Sequence, residues 1–357
     1  MPVKETHCNE AAGLSAAAVL HRAGIAYLVL EQNGDVGKPW ESRYERLHLH
    51  TDRYVSGLPY LDWPSFASLF PSRMDVVHYL RGYWRALNLN VRFNTTVTSL
   101  SKDGAQWRVE LAHGEELRAP FVIIASGQSS VPKSEQLPEE RHFNGIVMHS
   151  SAFGSAAQYA GKKVLVIGIG NSGQEIAVDL AENGAAAIDV AVRSPVVWSG
   201  RDIIPDKLPF AQVVLALGGA FLPLAWLDAL AARVRIPLPP GVVAKENARV
   251  FTAVTRCRPP VLDIGLLSLA HERKVKLIQP PKDWAAYDVV VKAIGYTSNT
   301  IGGALEPYLD EEGIPKERGD GLFFIGWNDF AGRIRHMTID ALRIRDTIRK
   351  AEEGRSK

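Results

Sequence analysis

The spacing G-x-G-x-x-G is met by Gly168, Gly170 and Gly173, with Asn171 and Ser172 between the second and third glycines. The first glycine of such a set allows a tight turn, the second lets backbone approach a pyrophosphate, and the third lets helix and strand pack closely. A diphosphate then sits on unpaired N–H groups at a helix N-terminus, where the macrodipole also favours negative charge. The spacing alone also occurs in phosphate-free α/β turns, so its surroundings decide its meaning. Residues 163–167 are an apolar run ahead of it, residues 174–182 continue as a helix stopped by Asn183-Gly184, and a second apolar run at 188–192 is closed by Arg193 and Ser194. An acidic residue at that end would accept from a ribose 2′-OH. Arg with Ser suits a 2′-phosphate, which predicts NADPH rather than NADH.

The N-terminus holds the second half of another such unit. Residues 13–20 form a small-residue helix beginning at Gly13, and residues 26–30 form a strand closed by Glu31, placed to hold a ribose hydroxyl. The first half departs from the pattern. Cys8 and Glu10 stand where the first two glycines belong, and residues 2–7 lack the apolar strand that should precede them. The expectation is a missing or replaced first strand, and a Glu10 carboxylate set unfavourably against a pyrophosphate.

The remaining elements must position these turns. A turn-rich loop at 34–40 ends in Trp40, an amphipathic helix covers 75–87, and short alternating runs from 91 to 119 predict an antiparallel meander. Residues 121–124 return as a buried strand ending in Ala125-Ser126-Gly127. Two further runs exit at glycine, 288–294 into Gly295 and 321–325 into Gly326, before a closing helix at about 337–350. Strand-then-glycine exits on both sides of the second turn imply one domain interrupted by another. The expected fold class is α/β, two dinucleotide-binding (Rossmann-like) domains with the NADPH domain inserted into the N-terminal one: 1–155, 156–280 and 281–357.

Composition narrows the function classes. With 357 residues and a formal net charge of +2, the chain has no general attraction to nucleic acid or anionic membrane. Its C-terminal basic residues, Arg333, Arg335, Arg343, Arg345, Arg349 and Lys350, read as a solvated helix face. Cys8 and Cys257 form neither a disulfide framework nor a C-x-x-C pair, and no metal-ligand set is visible. Without a signal-peptide pattern, the expectation is a cytoplasmic protein. The apolar stretch 210–232 is interrupted by Gln212, Gly218-Gly219, Pro223 and Asp228, which favours a packed helical hairpin over a membrane span.

Taken as a set, these residues resemble the class B flavin-dependent monooxygenases, in particular the flavin-containing monooxygenase branch that includes the plant YUCCA enzymes. The motifs that carry the resemblance are Phe143-x-Gly145-x-x-x-His149-x-x-x-Phe153, Gly168 to Gly173, Ala125-Ser126-Gly127 with Pro132, the run from Pro260 through Asp263 to Gly265, and Ala293-Ile294-Gly295-Tyr296. The family's identifying motif usually ends in Lys or Arg, where this chain has Gly154. The resemblance implies FAD and NADPH as cofactors. NADPH would meet Gly168, Gly170, Asn171, Ser172, Gly173, Arg193 and Ser194; Gly13, Glu31, Trp40 and Gly127 would lie along FAD, with Gly326 near the flavin end and Gly295 at its own glycine turn. His50 would approach the flavin or serve as a hydrogen-bonded structural histidine. Hydride transfer would reduce FAD, oxygen would add at the flavin C4a position, and one oxygen atom would pass to a soft nucleophile or a 2-oxo acid. The cofactor carries that chemistry, so no protein nucleophile or acid–base dyad is assigned. Expected partners are O2 and a small-molecule substrate, with a homodimer left open. The alternatives are an uncoupled NADPH oxidase or flavin reductase, and a non-catalytic NADPH-binding relative.

Overall fold

The computed structural model describes residues 3–6, 10–127, 130–196, 198–204, 208–209, 261–301, 303–311, 313–316, 319–327 and 334–355. Cys8, Cys257, Pro260 and the apolar stretch 210–232 lie outside the described residues. Among the described residues no helix is long and apolar enough to cross a membrane. The chain divides into two compact units, one of residues 1–41, 53–131 and 296–357, the other of residues 42–52 and 132–295.

The first unit is built on strands β1 (Val3–Thr6), β2 (Leu28–Glu31), β3 (Val91–Arg92), β7 (Val122–Ile124) and β15 (Leu322–Phe324). They form a five-stranded sheet in the order β15-β7-β1-β2-β3. Every pairing is parallel, with Val3 opposite both Leu28 and Val122. Of the two expectations, a missing or a replaced first strand, the first is therefore corrected: residues 3–6 are the central strand. The polar sequence Lys4-Glu5-Thr6 hides it from a periodicity reading, but ladders on both sides fix an extended backbone whatever the local propensity. Helix α1 (Glu10–Arg22) crosses from β1 to β2 and packs against α5 (Ile334–Arg355), with Ala12, Ala16 and Ala17 almost fully buried. Helix α2 (Arg73–Ala86) starts at a capping box in which the Ser72 hydroxyl accepts from Asp75 N–H and the Asp75 carboxylate accepts from Ser72 N–H. The antiparallel meander is β4 (Val97–Asp103), β5 (Gln106–Leu111) and β6 (Glu116–Ala119). Val91–Arg92, expected in that meander, pairs instead with β2 at the edge of the parallel sheet. A core of Leu30, Leu100, Trp107, Val109, Ile124 and Trp327 joins meander to sheet.

In the second unit, β8 (Ile146–His149), β9 (Lys163–Ile167), β10 (Ala187–Ala191), β13 (Lys276–Ile278) and β14 (Val289–Lys292) form another all-parallel sheet, ordered β13-β10-β9-β14-β8. The strand β14, grouped by pattern with the run at 121–124, hydrogen-bonds here to β9. Central β9 is covered on both faces: Val164 and Val166 join one cluster with Ile176 and Leu180, and Leu165 joins another with Trp284 and Val290. Helix α3 (Asn171–Glu182) connects β9 to β10. Gly184, in the left-handed region at φ 77°, lets the next residue turn back so that Ala185 N–H reaches Leu180 O at 3.1 Å. Beside this helix lie β11 (Trp198–Gly200), paired with β12 (Val261–Asp263), and the short helix α4 (Leu266–His271).

Candidate functional site

In the second unit, β9 leaves the sheet at Gly168, whose φ of 100° suits glycine. A Cβ there would meet Ala293 O at 2.5 Å, and one on Gly173 would meet Gly168 O at 2.0 Å. These two glycines are required by packing. Gly170 is different: a Cβ on it meets nothing within 4 Å, and it is exposed at the N-cap of α3. The open space lies beside the first-turn N–H groups of Asn171, Ser172 and Gly173, which have no carbonyl four residues back inside the helix. Open space beside a Cβ-less position, at a 12-residue helix's N-terminus, fits a dinucleotide diphosphate.

The side chains behind the turn are braced. Gln174, fully buried, donates from Nε2 to Leu262 O at 2.6 Å and lies 3.4 Å from Asn171 Oδ1. Arg193 and Ser194 are exposed beyond the end of β10, the strand adjacent to β9. Gly295 follows Ala293, the residue that walls Gly168, and takes φ 90°.

The motif at 143–153 also has a physical role. Phe143 packs edge-on to Trp284, and a Cβ on Gly145 would strike the Phe143 ring at 2.4 Å. His149 Nε2 lies 3.0 Å from Gly295 O and its Nδ1 accepts from Ser151 N–H, while burial lowers its pKa. A neutral imidazole that donates to Gly295 O and accepts at Nδ1 ties β8 to the chain leaving β14.

A carboxylate that the sequence reading did not single out organises this unit. Glu175, 1% exposed on α3, accepts from the Tyr44 hydroxyl at 2.7 Å and from His48 N–H at 3.1 Å, and faces His50 Nε2 at 3.5 Å. Burial raises its pKa, but hydrogen bonds from His48, His50 and Tyr44 prevail and bring it down to about 2. The His48 pKa rises in turn, chiefly through Glu175. His50 is thus placed against α3, its Nδ1 buried with no hydrogen-bond partner. The available signal was a Gln-Glu pair directly after the third glycine, ahead of the apolar run Ile176-Ala177-Val178.

In the first unit, Gly13 is buried in α1, Glu31 ends β2, Gly127 (φ 71°) follows β7 and Gly326 (φ 72°) follows β15. These residues gather around the carboxyl ends of neighbouring parallel strands, where such sheets bind ligands. Glu31, 3% exposed, accepts from Asn33 N–H at 2.8 Å. Trp40 is half-buried on a single helical turn at 38–41 that Gly37 opens. Glu10, at the first position of α1, is also 3% exposed, and its Oε2 accepts from Gly37 N–H at 2.7 Å. Burial, and next the Glu31 carboxylate, push its carboxyl up to about 8. At neutral pH it is mostly the uncharged acid, and in that form the turn presents no buried ionised carboxylate at position 10 against a diphosphate.

Residues 11–202 match the family described as pyridine nucleotide-disulphide oxidoreductase. The chain is 32% identical to the indole-3-pyruvate monooxygenase YUCCA1 of Oryza sativa subsp. japonica, across 88% of this chain and 84% of that protein. It is 30% identical to the probable indole-3-pyruvate monooxygenase YUCCA7 of Arabidopsis thaliana, across 90% and 79%. Its fold resembles a flavin-containing monooxygenase from Stenotrophomonas maltophilia, with TM-score 0.71, 19% identity and 98% of each chain covered. A crystal structure of cyclohexanone monooxygenase aligns with TM-score 0.69 and 18% identity over 99% of this chain and 88% of that one.

Proposed function

The chain belongs to the pyridine nucleotide-disulphide oxidoreductase family, among its flavin-dependent monooxygenases, and on that premise we propose that it uses NADPH and FAD to place one oxygen atom of O2 into an aromatic 2-oxo acid. The observation that carries the reading is the presence of two β–α–β turns in separate parallel sheets, one closed by Glu31 and the other by Arg193 with Ser194. A monooxygenase of this kind needs two dinucleotides, a hydride donor and a flavin. Disulfide reduction is disfavoured, because the only cysteines are Cys8 and Cys257. The substrate class is supported by the similarity to the rice indole-3-pyruvate monooxygenase.

We assign NADPH to the unit of residues 42–52 and 132–295, and FAD to the other. The amides around Gly168, Gly170, Asn171, Ser172 and Gly173 would hold the NADPH diphosphate, with Arg193 and Ser194 on the 2′-phosphate and Gly295 bordering the same turn. Glu175 keeps α3 and the segment carrying Tyr44, His48 and His50 in one arrangement, so His50 acts through position. In the FAD unit, Glu31 would accept from ribose hydroxyls, and Gly13, Trp40, Gly127 and Gly326 would line the cofactor. Bound FAD supplies hydride acceptance and oxygen activation; the chain supplies binding, orientation and exclusion of water. The test is turnover with NADPH, oxygen-18-labelled O2 and a panel of aromatic 2-oxo acids, amines and thioethers. One labelled atom per NADPH in the product formed from the 2-oxo acid supports the proposal. Hydrogen peroxide in stoichiometric yield with every substrate would make the protein an uncoupled oxidase instead.

A further inference from the structure

Counting back from the third glycine of each turn, Gly13 matches Gly173 and Glu10 matches Gly170. Gly170 opens onto free space, whereas position 10 carries a side chain that is 97% buried by its 3% exposure. The Glu10 carboxyl sits between the start of 13-residue α1 and the loop that follows β2. Its Oε2 takes the N–H of Gly37, and its Oε1 is buried with no hydrogen-bond partner. Leu14, Val29, Val36 and Val91 line the same small cavity, together with Glu31. A helix N-terminus favours a diphosphate, and an ionised carboxylate at position 10 would stand against it.

The charged groups around Glu10 are Glu31 at the end of β2, Asp35 in the following loop, and Arg81 of α2. Arg81 is already engaged: its guanidinium lies 2.9 Å from Asp35 and 3.4 Å from Glu41. Two acidic neighbours and an apolar lining therefore penalise an ionised Glu10 more than the one shared cation relieves it.

We propose that Glu10 gates flavin loading: an ionised carboxylate at the start of α1 repels the diphosphate of FAD, which is admitted when Glu10 carries a proton. Where Glu10 is ionised, well above pH 8, FAD uptake is then coupled to one proton taken from solvent onto its carboxylate, and near pH 7, where the proton is already in place, to almost none. The proposal rests on the flavin reading above and concerns binding alone, so turnover is not needed to test it. With the Glu10 carboxyl pushed up to about 8, single-proton linkage gives an FAD dissociation constant that rises about tenfold from pH 7 to pH 9.

The experiment titrates the flavin-free protein with FAD at pH 7 and pH 9, reading flavin fluorescence, for the natural chain, Glu10→Gln and Glu10→Gly. The expected result is a rise of about tenfold for the natural chain, no pH dependence for Glu10→Gln, and tighter binding at both pH values for Glu10→Gly. Equal pH dependence in the natural chain and Glu10→Gln overturns the gate while leaving the flavin reading intact. So does a pH-independent natural chain, which needs no variant to fold. Absence of FAD binding in all three proteins at both pH values overturns the gate and the flavin reading together.

Discussion

Replacing Glu175 by Gln keeps the shape of the side chain and removes its charge. The natural carboxylate is 1% exposed and has its pKa brought from 4.5 to about 2 by donors on Tyr44, His48 and His50, against the opposing effect of burial. That difference of about 2.5 pKa units corresponds to about 3 kcal/mol of folding free energy. A carboxylate whose folded pKa lies below its unfolded value stabilises fully above the unfolded value, and loses that contribution as pH falls through the folded one. Chemical denaturation should therefore find Glu175→Gln about 3 kcal/mol less stable at pH 7, with the gap narrowing below about pH 4.5 and closing towards pH 2. Tyr44→Phe, which removes one donor, should cost about 1.5 kcal/mol and keep the pH dependence. A gap that stays constant from pH 7 to pH 3, or none at all, would refute the claim that charged hydrogen bonds fasten this segment to α3.

The glycines of the NADPH turn should separate folding from binding. Gly173→Ala places a Cβ 2.0 Å from Gly168 O, and should lower stability by about 3 kcal/mol in a denaturant titration. Gly170→Val meets no atom within 4 Å at Cβ, so it should cost only about 1 kcal/mol, that of a poorer N-cap, and weaken NADPH binding by at least about tenfold in calorimetry. Arg193→Ala should weaken NADPH by about 10- to 100-fold, the loss of a charged hydrogen bond, while NADH changes by less than about threefold; equal losses for both would remove Arg193 from the 2′-phosphate.

What the sequence revealed was what is enforced locally. Gly168 and Gly173 are required by contacts within one turn, and the stop at Asn183-Gly184 is a backbone conformation, so both are written at the positions where they act. Strand β1 was missed because its evidence lies in its neighbours: Leu28 to Glu31 on one side and residues 122–124 on the other hold residues that have no apolar pattern of their own. Strand β14 has an apolar run that would suit either sheet, and only its register with β9 decides between them. The Glu175 site has the same character. Its donors stand on a segment more than 100 residues earlier in the chain, at separations of 131 for Tyr44 and 125 for His50, where no local spacing links them. Glu10 is the reverse case: the departure from glycine was legible, but burial and the Gly37 bond that make it an uncharged acid were not.

The central claim is that one chain brings NADPH and FAD to reaction. Its most direct test is anaerobic addition of NADPH to the flavin-loaded protein, followed by visible absorbance. Rapid loss of the oxidised-flavin band with NADPH, and much slower loss with NADH, is the predicted result. A flavin band that persists under excess NADPH would contradict it.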